Sequence, residues 1–229
     1  MKKVLTGLTL AVAMGSAQAA EISGTVGFTN DYRFRGISQS SGDAAIQGSL
    51  DAAFDNGIYA GVWGSNVDFG AGEDAHLEID YYVGYGADIN DDFSYDVSLN
   101  YYTYPGYSSD TDYTELMVGL YYGDLALSLA YSDDYFQSGE SASYVAVDYS
   151  YGLTDEISLD LHAGHSFGEN WGSADIEDYS DYSIGISGSA AGLDLSAAYL
   201  FNDVEDADET NSGAYRNDDT LLLTVSRSF

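Results

Sequence analysis

The chain has 229 residues, 38 acidic against 6 basic side chains, a formal charge of -32 and no cysteine. Such a surface repels nucleic acid, whose capture needs a basic footprint, while 45% hydrophobic and 14% aromatic residues are too many for a solvated polyanion and exclude charged disorder. Past the N-terminal stretch no apolar run approaches the roughly 20 residues of a membrane-spanning helix, which excludes a helical membrane protein and leaves a barrel open.

In chain order, the first element is a leader over residues 1–20. Lys2 and Lys3 form a basic start, Val4 to Ala13 an apolar stretch, and Ala17-Gln18-Ala19 a cleavage site for secretion. Export permits disulfides, but without cysteine stability must rest on packing or on a closed hydrogen-bonded sheet. Residues 21–229 then read as one domain.

That domain alternates with period two, the signature of strands. Strands are expected over 22–34, 44–54, 58–67, 75–88, 93–104, 114–122, 125–132, 142–151, 157–167, 182–190, 193–201 and 220–229. The clearest sets Ala75, Leu77, Ile79, Tyr81, Val83, Tyr85 and Ala87 against His76, Glu78, Asp80, Tyr82, Gly84, Gly86 and Asp88. In a strand these sets point to opposite faces. Short connections carrying turn residues, such as Asp55-Asn56-Gly57, Gly123-Asp124 and Ala191-Gly192, alternate with long polar loops over 36–43, 68–74, 105–112, 133–141, 168–181 and 202–219. Short then long is the pattern of an up-and-down meander with one rim on each side of a membrane. The expected fold is all-β: a transmembrane antiparallel barrel of twelve strands in the cell outer membrane.

The alternation also fits a soluble sandwich with its apolar face inward. Three features favour the inverted arrangement. The apolar face is aliphatic in mid-strand and aromatic at strand ends, as in Leu125, Leu127 and Leu129 leading to Tyr131, which suits a hydrocarbon band between aromatic girdles. Its opposite face carries carboxylates, serines, glycines and tyrosines, as a water-filled lumen would. The last strand ends Leu221, Leu223, Val225, Arg227, Phe229 on one parity, like the signal by which barrel-assembly machinery recognises its clients. Closure follows because an open sheet edge cannot persist in lipid.

Two strings carry a family resemblance. Ile22-Ser-Gly-Thr-Val-Gly-Phe-Thr-Asn-Asp-Tyr-Arg-Phe-Arg-Gly-Ile-Ser-Gln39 resembles the opening of the TorF family of Gram-negative porins, and Asn56-Gly-Ile-Tyr-Ala-Gly-Val-Trp-Gly-Ser-Asn-Val-Asp68 resembles its second block. The rest matches in length, strand pattern and terminal Phe. The resemblance implies an outer-membrane porin, names no solute and brings no catalytic residues.

Extending the parity puts Asp31, Asp51, Glu78, Asp80, Asp88, Asp96, Glu115, Asp148, Asp160, Asp181 and Asp194 in the lumen, against Arg33 and Arg35 near the outer end of the first strand. A pore lined by one sign of charge attracts cations and excludes anions. The expected function is passive diffusion of small cationic or neutral solutes. The alternative is a plugged barrel with a structural or adhesive role, because bore narrows with strand number and inward tyrosines fill it. Acidic loop segments, Asp175, Glu177 and Asp178 and then Asp203, Glu205, Asp206, Asp208 and Glu209, offer hard oxygens for weak divalent-cation bridges to lipopolysaccharide, without the spaced motif of a dedicated site. No catalytic motif accompanies His76, His162 or His165, so neither an enzyme nor a cofactor is expected.

Overall fold

Two-faced strands bury nothing alone; they form a wall only when faces are paired in register. The structure, a computed structural model, describes residues 20–70, 74–107, 109–173, 177–204 and 216–229. The expected leader, apart from Ala20, lies outside them, as do Asp175, Glu205, Asp206, Asp208 and Glu209.

The strands are β1 (Glu21–Thr29), β2 (Arg33–Phe34), β3 (Ile37–Ser38), β4 (Ala45–Ala53), β5 (Ile58–Asn66), β6 (Leu77–Asp88) and β7 (Phe93–Thr103). They continue with β8 (Tyr113–Tyr122), β9 (Leu125–Ser132), β10 (Ala142–Gly152), β11 (Ile157–Phe167), β12 (Tyr179–Ala190), β13 (Leu193–Asn202) and β14 (Thr220–Ser228). Twelve of them close an antiparallel barrel in which each pairs with its sequence neighbours, β1 meets β14, and β2 and β3 form a separate hairpin. The short turns gather at one end and the long loops at the other. A single-turn helix, α1 (Glu169–Ser173), lies in the β11–β12 loop.

Outward positions bear the apolar residues. Leu116, Leu120, Leu127, Leu129, Val147, Ile184, Ile186 and Leu223 are exposed in the middle of the wall. Exposed aromatics ring both ends: Phe54, Tyr85, Phe93, Tyr122, Tyr149 and Tyr151 toward the short turns, and Tyr81, Tyr101, Tyr131, Tyr199 and Phe201 toward the long loops. An aliphatic belt between two aromatic belts is the surface a bilayer requires.

The seam between first and last strands is fully bonded. Gly24 and Phe229 exchange both backbone hydrogen bonds at 3.0 Å. At the other end the Asn30 side chain imitates a peptide: its Nδ2 donates to the Leu221 carbonyl at 3.0 Å and its Oδ1 accepts from the Leu223 N–H at 2.6 Å. Backbone groups that would face hydrocarbon unpaired are thereby satisfied.

One expected strand is corrected. The first does not run to residue 34: β1 stops at Thr29, opposite Ala45 of β4. Residues 31–44 leave the wall and turn into the barrel, carrying the β2–β3 hairpin. The wall therefore holds neither Arg33 nor Arg35. Alternation misled here because the hairpin is also extended and keeps the same period.

A buried cluster forms where this segment meets the long-loop end: Tyr32, Ile37, Val67, Phe69, Tyr102, Tyr104, Tyr113, Tyr135, Trp171 and Tyr179. Tyr102 stacks on Tyr113 at 4.6 Å between ring centroids, Tyr113 meets Tyr135 edge-on at 4.7 Å, and Trp171 joins Tyr135 to Tyr179. The apolar core of this barrel is a cap at one end of its bore.

Candidate functional site: an acidic lumen and the hairpin inside it

Inward positions along the wall place Glu78 and Asp80 on β6, Glu115 on β8 and Asp181 on β12 toward the long-loop end. Toward the short turns lie Asp51 on β4, Asp96 on β7, Asp148 on β10, Asp160 on β11 and Asp194 on β13. Asp31 sits on the inward segment with Arg33 and Arg35.

The structure commits both arginines to single acids. Arg33 Nε donates to Asp31 Oδ2 at 2.5 Å. Arg35 makes a two-pronged contact with Glu115, Nη1 to Oε1 at 2.9 Å and Nη2 to Oε2 at 2.8 Å. Tyr102 adds a hydroxyl to Oε2 at 3.1 Å. The Arg35 guanidinium also lies 4.5 Å from the Phe34 ring centroid and 4.6 Å from that of Tyr144. A planar fork matched to a carboxylate and held between rings is arginine chemistry that lysine does not reproduce.

Five further acids are served by hydroxyl donors. Tyr104 donates to Glu78 at 2.9 Å, Tyr59 to Asp96 at 2.9 Å, Tyr82 to Asp51, Ser150 to Asp160 at 2.7 Å and Ser189 to Asp194 at 2.5 Å. Glu78 Oε2 and Asp80 Oδ1 are buried with no hydrogen-bond partner. Among the described residues no lysine or arginine pairs with Asp51, Asp80, Asp96, Asp148, Asp160 or Asp194. In the long loops, burial and then nearby Glu78 push the Tyr32 hydroxyl well above its ordinary range, and burial does the same to Tyr135. Both stay neutral.

His162 bridges three strands. Its Nδ1 lies 2.7 Å from Asp148 Oδ1 and its Nε2 lies 3.0 Å from Asp181 Oδ1, with the Tyr144 hydroxyl 3.0 Å from that same Nε2. With a carboxylate at each ring nitrogen, the imidazole is a cross-strand tie; neither nitrogen is free to serve as a base.

This tie depends on Gly164. A Cβ there would lie 2.0 Å from the Tyr144 hydroxyl and 2.8 Å from Asp181 Oδ2. Gly164→Ala is therefore expected to push Tyr144 off both partners and cost about 1–3 kcal/mol, as overpacking does. Urea unfolding in phospholipid vesicles measures it, and in a Tyr144→Ala background the cost should largely disappear.

Sequence parity puts tyrosines in the bore as filling, but does not show that they are the hydrogen-bond partners of the acids. Tyr59, Tyr82, Tyr102, Tyr104 and Tyr144 hold the acids, yet tyrosine occurs equally on the lipid face. The inward hairpin had one local signal, Gly36 followed by serines at 38, 40 and 41, which mark a turn.

Solved structures share the architecture. The KdgM porin superposes with a TM-score of 0.55 at 11% identity, covering 91% of this chain and 98% of that one. An outer membrane channel from Pseudomonas putida F1 gives 0.50 at 13% identity, covering 96% and 100%. Identities this low establish the fold and no more. No curated protein matches the chain. A family model described as a bacterial protein of unknown function (Gcw_chp) matches residues 13–229, and the chain belongs to that family.

Proposed function

We propose that the chain is a porin-like channel of a Gram-negative outer membrane, passing small cationic or neutral solutes by passive diffusion and catalysing no reaction. One observation carries this reading: the lumen is acidic and its two arginines are already spent, Arg33 on Asp31 and Arg35 on Glu115. Solutes entering the short-turn half meet Asp51, Asp96, Asp148, Asp160 and Asp194 without an opposing lysine or arginine. A low-dielectric wall lined with one sign focuses the field and concentrates cations. The likeness to channel folds and the two TorF-like strings support the same reading.

In this arrangement the short turns face the periplasm and the acidic long loops face outward, where divalent cations bridge them to lipopolysaccharide. Barrel-assembly machinery takes the last strand through Phe229. Outer-membrane lipid covers the aliphatic belt.

The test is reversal potential in a planar bilayer under a salt gradient. Cation preference is expected, and it should fall when Asp51, Asp96 and Asp148 are changed together to Asn; anion preference in the unaltered protein would refute the reading. A second reading, a barrel filled by its own wall side chains and acting through its external loops, is favoured by the inward Tyr59, Tyr82 and Tyr144 and predicts no conductance even after the hairpin is removed.

A further inference from the structure

Resting on the channel reading, we propose that residues 31–44 are a movable plug and that the Arg35–Glu115 ion pair is the latch holding its tip across the bore. Four observations converge on this.

The segment is a body in its own right. Asp31 accepts from Arg33 Nε at 2.5 Å, Ser38 Oγ at 2.6 Å and Ser40 Oγ at 3.2 Å. Backbone bonds from Gln39 N–H to the Tyr32 carbonyl at 2.7 Å and from Asp43 N–H to the Ser40 carbonyl at 2.9 Å close it further. A unit tied internally can shift without unfolding.

The wall does not need it. Thr29 and Ala45 are paired directly across β1 and β4 and Asn30 stays bonded to β14, so the sheet is complete without residues 31–44. Where the segment is anchored, its base is tied to other loops: Gln39 accepts from Asp68 N–H at 2.9 Å and Ser38 N–H donates to the Arg216 carbonyl at 2.8 Å.

The tip touches the wall through one polar contact. Among the described residues, 34–37 make no hydrogen bond to a wall strand except through Arg35, which reaches Glu115 with both nitrogens. Phe34 meets Tyr102 at 6.2 Å between ring centroids, and Gly36 lies against Asp181, where a Cβ would come within 2.8 Å of that side chain's own Cβ. Those are packing contacts, which a shift can remake.

The latch residue occupies a position chosen for its side chain. Arg35 and Gly36 form the two-residue turn of the hairpin, with φ of 49° and 84°. Turns of this hand favour Asn or Gly at both places. The left-handed backbone penalty accepted at Arg35 is explained by what its guanidinium reaches, since strain of this kind persists where the surroundings require that residue.

Single-channel recording on the refolded full chain tests the proposal, with heat-shifted gel migration verifying that each variant is folded. Glu115→Gln and Arg35→Met change lumen charge in opposite senses. A latch predicts that both raise open probability several-fold and that the double variant adds little beyond either. If the pair acts only through the lumen field, the two move cation conductance in opposite directions, which overturns the latch. Replacing residues 31–44 by one glycine leaves Asn30 and that glycine as a two-residue turn between paired strands, and it should hold the bore open. Silent single variants beside an open deletion overturn the latch; an unaltered protein that already conducts like the deletion overturns the plug. A folded deletion that never conducts overturns the plug together with the channel reading on which it rests.

Discussion

Leu127→Arg is expected to destabilise the barrel by about 2–4 kcal/mol, whereas Ser128→Arg, one residue on, is expected to cost no more than about 1 kcal/mol. Leu127 lies outward in the middle of β9, flanked by Leu120 of β8 and Val147 of β10, between Tyr131 at one rim and Tyr122 at the other. A guanidinium there has only hydrocarbon around it. It must snorkel toward a distant headgroup or thin the bilayer. Ser128 points inward, paired with Gly119 and Ala146, and Asp148 lies two residues along the same face of β10. An arginine at that place meets water and carboxylates. Urea titration in phospholipid vesicles, followed by the fluorescence of Trp63 and Trp171, gives both costs. The reverse order would mean that leucines are buried and carboxylates face outward, as in a secreted acidic globule.

That asymmetry is the part of the fold most legible in the sequence. Period-two alternation fixes which residues share a face, and turn residues such as Gly123-Asp124 locate the reversals, so twelve wall strands and their up-and-down order follow from local information. Parity fails where the code is degenerate. β5 carries Gly61 and Gly64 on opposite faces, leaving Trp63 ambiguous until the structure sets it inside, 5.4 Å from the Tyr32 ring. Tyrosine is the same problem at larger scale: Tyr81 faces lipid and Tyr82 the lumen, because a phenol suits a headgroup and an inward carboxylate equally. The site was less legible than the wall. Its bonds join residues 26, 37 and 80 positions apart in Tyr104–Glu78, Tyr59–Asp96 and Arg35–Glu115, and no local pattern encodes such distances. The string Tyr32 to Gly36 lies in the segment inside the bore, while the string Gly61 to Asn66 lies in wall strand β5.

Asp31→Ala should strike that segment harder than any change in the wall. Asp31 is 3% exposed and gathers three donors, one of them the Arg33 guanidinium, whose side chain is 4% exposed. Removing one partner of a buried ion pair leaves an uncompensated charge, at a cost of about 3–5 kcal/mol. Arg33 keeps bonds to the carbonyls of Gly36 and Arg216, but these supply no negative charge. The loss should stay local, because β1 and β4 pair beneath the insert and do not depend on it. Hydrogen exchange resolves this. Amides of Gln39 and Asp43 should lose protection by roughly two to three and a half orders of magnitude, the equivalent of that cost, while amides of β11 and β12 exchange as before. Equal loss across those strands would mean that insert and wall fold as one cooperative unit, and a segment so coupled could not swing clear of the bore.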